Sequence, residues 1–183
     1  MPPGDLRTVI GPPIRIMAAR IDPALTEPDL VQIEKTFRAD YDSHGWEKTV
    51  LFEGVIPGLQ RLRSNGAQLF LVTNKPRIPT VGILTHFAMM DLFEEIVTRD
   101  SRTPAYSDKS AMLSDLLLRH RLPTESTIMV GDTAEDGEAA ADNRLEFIHA
   151  SYGYGSVSGP CRSIPCFSEL WAALSVKKTA EKV

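Results

Sequence analysis

Thr127-Ile128-Met129-Val130-Gly131-Asp132-Thr133-Ala134-Glu135-Asp136 is the stretch that decides the fold. A short apolar run from Thr127 to Val130 has the composition of a buried strand. Gly131 and Asp132 end it, and a helix follows over roughly Asp136 to Ala141. The same alternation continues in both directions. Toward the C-terminus, Glu146 to Ala150 predicts another strand, and Leu170, Trp171 and Leu174 predict a closing helix before a polar tail from Lys177. Toward the N-terminus, Asp108 to His120 is amphipathic, with Met112, Leu113, Leu116 and Leu117 inward and Ser107 as a candidate cap. Before it come a strand over Phe93 to Val97, a helix over Pro79 to Phe87, and a strand over Ala67 to Val72 ending in Thr73-Asn74. Pro57 opens a further helix carrying Leu59 and Leu62, which Asn65-Gly66 stops. Strands separated by helices imply a parallel sheet covered on both faces.

The first fifty residues break this rhythm. Leu30, Ile33, Phe37 and Tyr41 recur at helical spacing, and Gly45 marks the expected end of that helix. Ile14, Met17 and Ala18 predict a shorter helix after the turn at Gly11-Pro12-Pro13. No internal repeat or low-complexity tract is visible.

Composition excludes several classes. The chain has 183 residues, 43% hydrophobic and 24% charged, with a net charge of −4. That is an ordinary soluble globular composition. No basic run supports a nucleic-acid partner, and no apolar run approaches a membrane span. Met1-Pro2-Pro3-Gly4-Asp5 lacks the pattern of a secretory signal. Cys161 and Cys166 read as two unlinked thiols of a cytoplasmic protein, since a zinc site needs further close ligands.

In open parallel sheets, ligands bind beyond the carboxyl ends of the strands. That directs attention to Thr73-Asn74 and Gly131-Asp132. Asp132 with Asp136 one turn later suits a hard divalent cation such as magnesium. The plainer reading is that Asp132 caps the next helix. Thr73 and Asn74 offer a hydroxyl, an amide and loop N–H groups to a phosphate oxygen. The plainer reading is a strand-to-helix turn favoured by Asn74 and Pro76. Lys109 lies in the first turn of its helix, against the positive end of the dipole, so it either faces an anion or is a solvated surface lysine.

Taken together, these three turns resemble the second, third and fourth motifs of the haloacid dehalogenase superfamily. Ile10-Gly11-Pro12-Pro13, Thr73-Asn74-Lys75-Pro76, Met129-Val130-Gly131-Asp132 and Tyr152-Gly153-Tyr154-Gly155-Ser156 are similar to the phosphoglycolate phosphatase group. Phe52-Glu53-Gly54-Val55 resembles the hinge where that family returns from cap to core. The resemblance implies an α/β core with a Rossmann-like parallel sheet over residues 53–183. It also implies a partial helical cap over residues 1–52. It implies hydrolysis of small phosphate monoesters through an aspartyl-phosphate, with Mg2+ as cofactor. By resemblance, Thr73 and Asn74 bind the phosphoryl group, and Lys109 neutralises nucleophile and phosphate. Asp132 takes the metal, and Asp136 supports it or its waters.

One departure stands out. The family's first motif, Asp-x-Asp-Gly-Thr on a central strand, is expected before the cap and does not appear before Ile10. Asp40-Tyr41-Asp42 is not a substitute, because it continues a helical pattern and no Gly-Thr follows. The sheet is therefore expected to miss its central strand. The two flanking strands either pair directly, or Thr49-Val50-Leu51-Phe52 slips between them, or the sequence lacks its true N-terminus. Arg144 stands where the family often has glycine, with Asn143 as the expected left-handed residue, and His149 reads as a packed or edge histidine. The expectation is a phosphatase cut short and inactive as given. The competing expectation is a non-catalytic relative binding phosphate or a partner. Assembly of copies through the open sheet edge is a third.

Overall fold

The computed structural model describes residues 13–175; the start of the Gly11-Pro12-Pro13 turn and the polar tail from Lys177 lie outside the described residues. The described residues open with two helices, α1 (Ile14–Ile21) and α2 (Glu27–Tyr41), packed on each other. Thr26 and Asp29 close the N-terminus of α2 as a reciprocal capping box. The helix ends at Tyr41, earlier than Gly45, because Asp42 caps it and Gly45 opens a short 3-10 turn against the Tyr41 ring. From Gly54 onward the order is α3 (Val55–Ser64), β1 (Phe70–Thr73), α4 (Arg77–His86), β2 (Glu95–Thr98), α5 (Lys109–His120), β3 (Ile128–Gly131), α6 (Ala134–Asp142), β4 (Glu146–Ala150), β5 (Arg162–Ile164) and α7 (Leu170–Ser175).

Local chemistry sets these bounds. Asp108, not Ser107, caps α5: its Oδ1 accepts from the Ala111 N–H at 2.8 Å. After α6 it is Arg144 that takes the left-handed conformation, with φ 57°, while Asn143 stays at φ −97°. Gly54, with φ 80°, turns the chain into α3, and a Cβ there would meet the Ser168 hydroxyl at 2.4 Å. Strand β5 has no counterpart in the sequence reading. It is three residues long, between Pro160 and Pro165, too short for periodicity to reveal.

All strand pairs are parallel. Phe70 through Thr73 pair in register with Glu95 through Thr98, and Ile128 through Gly131 with Glu146 through His149. Ala150 pairs with Ile164. Side chains alternate across this framework. Val72 and Val97 face α5, meeting Met112 and Leu116, while Leu71 and Ile96 face Leu59 of α3 and Leu84 of α4. In the second half, Met129 and Phe147 face Leu113, Ala139 and Ala140, and Val130 and Ile148 face Leu62 and Leu170. Met112, Val97, Ala140 and Ile148 are fully buried. Each large apolar side chain buried this way stabilises the fold by about 1.5–3 kcal/mol.

The strands form two sheets, β2-β1 and β3-β4-β5, with no ladder between β1 and β3. Thus neither expected closure occurs among the described residues. Thr49 to Phe52 is irregular, with Val50 85% and Phe52 44% exposed. The Phe52 ring goes instead to Tyr152, with centroids 5.0 Å apart, and to Tyr154 at 6.4 Å. Side chains join the halves: Val72 touches the clusters around both Met112 and Leu113, and Leu69 and Phe167 do the same on the opposite face. Among the described residues no helix is long and apolar enough to cross a membrane, and Cys161 and Cys166 are exposed free thiols.

Candidate functional site

The alternation of strand and helix delivers each candidate side chain to the carboxyl end of its strand. Thr73 closes β1, Asn74 follows it, Asp132 follows β3, Asp136 lies in the first turn of α6, and Lys109 opens α5. Lys109 Nζ stands 2.5 Å from Asp136 Oδ1, and the two side chains are only 11% and 6% exposed. The lysine at the unfavourable end of its helix therefore does face an anion, and that anion is a carboxylate of the next helix. The other oxygen of Asp136, Oδ2, accepts from Asp132 N at 3.1 Å, Thr133 N at 3.0 Å and Thr133 Oγ1 at 2.8 Å. Asp136 thus spends both oxygens inside the protein. Residue 131 must be glycine for this to fit, since a Cβ would lie 2.4 Å from Asp136 Cβ.

Asp132 is held differently. Its Oδ2 accepts from the N–H groups of Tyr154 at 2.8 Å and Gly155 at 3.2 Å, in the loop after β4. That approach needs glycine at 153, where a Cβ would sit 2.3 Å from Asp132 Cβ. Oδ1 carries no hydrogen bond among the described residues. Tyr152, just before this loop, has its phenol pushed up by burial first and by the Asp132 charge second.

At the end of β1, Thr73 Oγ1 accepts from Lys75 N at 3.1 Å, which leaves the Thr73 O–H free to donate. Asn74 Nδ2 donates to both oxygens of Glu135, at 2.8 and 2.9 Å. Hence Asn74 and Lys109 both bind the first turn of α6, and the three separated turns meet around it. Lys75 Nζ reaches back to the Tyr41 hydroxyl of α2 at 2.7 Å. Asp40-Tyr41-Asp42 lies at the end of α2, as the helical pattern predicts, and takes no strand conformation. His149 sits on β4 opposite Gly131; its ring lies 6.5 Å from that of Phe147, and its buried Nε2 has no hydrogen-bond partner.

Three groups at this site were not singled out in the sequence: Lys75, Glu135 and the N–H pair of Tyr154 and Gly155. The glycine spacing at 153 and 155 signals a tight backbone approach, and Lys75 adjoins Thr73, so both were within reach of a closer reading. The contact from Tyr41 was not, because nothing local connects it to residue 75.

A magnesium ion takes about six oxygen ligands. Among the described residues no three His, Cys, Asp or Glu side chains gather closely enough to hold a metal ion. Asp136 has both oxygens hydrogen-bonded within the protein, whereas Asp132 Oδ1 is left without a hydrogen bond among the described residues.

The family model for haloacid dehalogenase-like hydrolases matches residues 1–150. The chain belongs to that family. The tyrosine-protein kinase PtkA of Mycobacterium tuberculosis is 31% identical over 158 residues, covering 85% of this chain and 52% of the relative. A phosphoglycolate phosphatase of Psychrobacter arcticus is 31% identical over 130 residues, covering 71% of this chain and 56% of the relative. The chain spans about half the length of the curated relatives it matches. The solved structure of the mycobacterial PtkA superposes with a TM-score of 0.80 at 29% identity, over 95% of this chain and 82% of that one. A haloacid dehalogenase-like family hydrolase from Streptococcus pneumoniae gives 0.82 at 22% identity over 94% of this chain and 82% of that chain, which speaks for the fold alone. The α/β core with parallel strands is thus that of the haloacid dehalogenase-like hydrolases, and the phosphoglycolate phosphatase-like character of its motifs agrees with its relatives.

Proposed function

We propose that this chain carries the phosphate-holding residues of a magnesium-dependent phosphatase acting on small phosphate monoesters, phosphoglycolate first among them. The observation supporting this reading is the buried Lys109–Asp136 pair, set beside Asp132 where β1 and β3 end. In this reading the free Thr73 O–H donates to a phosphoryl oxygen, and Asn74 adds its amide when it leaves Glu135. Lys109 keeps its charge at a fixed point because Asp136 orients it. Asp132 would present Oδ1 to magnesium. Bound there, the metal would offset the negative charge that repels an anionic nucleophile. Residues 1–52 act as part of a cap over the core of residues 53–183. The location proposed is the cytoplasm.

The covalent step needs an aspartate nucleophile, and no Asp-x-Asp-Gly-Thr occurs in the 183 residues. We therefore expect this polypeptide by itself to release no phosphate above background. Adding an upstream strand that ends in Asp-x-Asp-Gly-Thr should create magnesium-dependent release from a panel of phosphate esters, abolished by Asp132→Ala. Phosphotyrosine belongs in that panel because the mycobacterial relative is named a tyrosine-protein kinase. An extended protein that folds and stays inactive on the whole panel defeats the phosphatase reading.

A second reading is favoured by one observation. The paired hydrogen bonds of Asn74 to Glu135 tie the end of β1 to the first turn of α6, with no strand between β1 and β3 among the described residues. A non-catalytic protein that binds phosphate or a partner, or that adds strands between copies at the open edges, would use such a tie. Phosphate binding by the 183-residue chain, without turnover in the extended one, would select this reading.

A further inference from the structure

We propose that Lys75 is the specificity-determining residue of this site, reading a second anionic group on the phosphate ester, and that Tyr41 holds its ammonium until that group arrives. The proposal rests on the phosphate site above and adds to it the chemistry at the far end of the ligand.

Lys75 is anchored beside the phosphate-binding hydroxyl, because its N–H is bonded to Thr73 Oγ1 at 3.1 Å. Its side chain is half-buried. Nζ donates to the Tyr41 hydroxyl at 2.7 Å and lies 4.6 Å from the centroid of that ring. No carboxylate lies within ion-pairing distance of it among the described residues. Several other cations near the strands are paired. Lys109 has Asp136, Arg119 has Glu95 and Asp115, Arg63 has Glu94, and Arg162 has Glu146. Lys109 thus faces a carboxylate before any ligand enters, and Lys75 does not.

An ammonium has three N–H donors, and one phenol oxygen with one ring face leaves it under-satisfied. A carboxylate or a second phosphate is a stronger partner, because both members of that hydrogen bond are charged. Exchange of Tyr41 for such a group is therefore downhill once the phosphoryl end is seated on Thr73. Tyr41 ends α2, so the exchange also releases the helical segment from the β1 loop. The ligand class that results is a phosphate monoester with a carboxylate a few atoms from phosphorus, preferred over an ester of a neutral alcohol.

The test is calorimetric titration of the 183-residue chain with three probes: inorganic phosphate, 2-phosphoglycolate and ethyl phosphate. The wild type should bind 2-phosphoglycolate more tightly than ethyl phosphate. Lys75→Met should weaken 2-phosphoglycolate by about tenfold or more, the scale of a charge-assisted hydrogen bond, and leave ethyl phosphate nearly unchanged. Lys75→Arg should keep most of the discrimination. Tyr41→Phe removes the competing hydroxyl and should tighten 2-phosphoglycolate by roughly threefold. The ratio of the two esters is the readout, and a merely unfolded fraction does not move it. If Lys75→Met lowers both esters equally, or the wild type does not distinguish them, the role of Lys75 is overturned while the phosphate site stands. If no probe binds, or if Thr73→Val leaves inorganic phosphate binding intact, the site reading falls and takes this proposal with it.

Discussion

Replacing Lys109 by methionine removes one member of the most buried ion pair among the described residues and leaves the other in place. Asp136 then keeps Oδ2 bonded to Asp132 N, Thr133 N and Thr133 Oγ1, and loses its partner at Oδ1. Breaking a buried pair by removing one partner costs about 3–5 kcal/mol, because a charge is left without compensation. Half of this carboxylate stays satisfied, so the loss belongs at the lower end, about 3 kcal/mol. Against a total stability of about 5–15 kcal/mol that is a large change. With a urea slope of about 2 kcal/mol per molar, the unfolding midpoint falls by about 1.5 M. Asp136→Asn should also destabilise, by leaving the Lys109 ammonium facing an amide. The double variant Lys109→Met with Asp136→Asn should lose less than the sum of the two, since neither charge remains. The four proteins form a double-mutant cycle read by urea denaturation followed by circular dichroism. A coupling energy of zero, or a Lys109→Met midpoint equal to that of the wild type, would refute the claim that Lys109 and Asp136 form a buried ion pair between α5 and α6.

Two further perturbations test other parts of the site and its frame. Gly153→Ala places a methyl 2.3 Å from Asp132 Cβ and 2.5 Å from its Oδ2, so the carboxylate or the loop must move. We expect a cost of about 1–3 kcal/mol and displaced amide resonances at Tyr154 and Gly155; an unshifted spectrum with an unchanged midpoint would show that the loop does not grip Asp132. The second is pH. Hydrogen bonding to Arg119 holds the Glu95 carboxyl below its usual range, and the Tyr106 hydroxyl followed by Arg119 does the same for Asp115. Carboxyls lowered in the folded state contribute stability above their unfolded values, near pH 4, and lose it as pH falls through the lower folded values. Urea midpoints should therefore fall between pH 5 and pH 3, and less steeply in Arg119→Met; a flat profile in the wild type would contradict the pairing.

The core was readable because its signals are local. Four apolar residues at 69–72 followed by Thr73-Asn74, and Ile128 to Val130 followed by Gly131-Asp132, are strands with their polar ends attached. Amphipathic α5 was equally plain, since Leu116 lies one turn beyond the adjacent Met112 and Leu113 and all three are buried. Boundaries drifted by one to three residues where caps decide them, as with Asp108 taking the role expected of Ser107. Strand β5 escaped because its pairing partner, β4, and not its own composition, makes it a strand. At the site, the positions of Thr73, Lys109, Asp132 and Asp136 were legible. Their connections were not. That Lys109 would meet Asp136, or that Tyr41 would cover Lys75, depends on which helices stand side by side, and no spacing in the sequence encodes that.

The grip on Asp132 has a consequence for the order in which the protein becomes competent. The N–H of Tyr154 that fixes this carboxylate follows it by 22 positions in the chain, beyond all of α6 and β4. A nascent chain leaves the ribosome N-terminus first, so Asp132 emerges and waits while its clasp is still being translated. Premature release anywhere in that interval would yield a chain with a recognisable acidic motif and no means of aiming it.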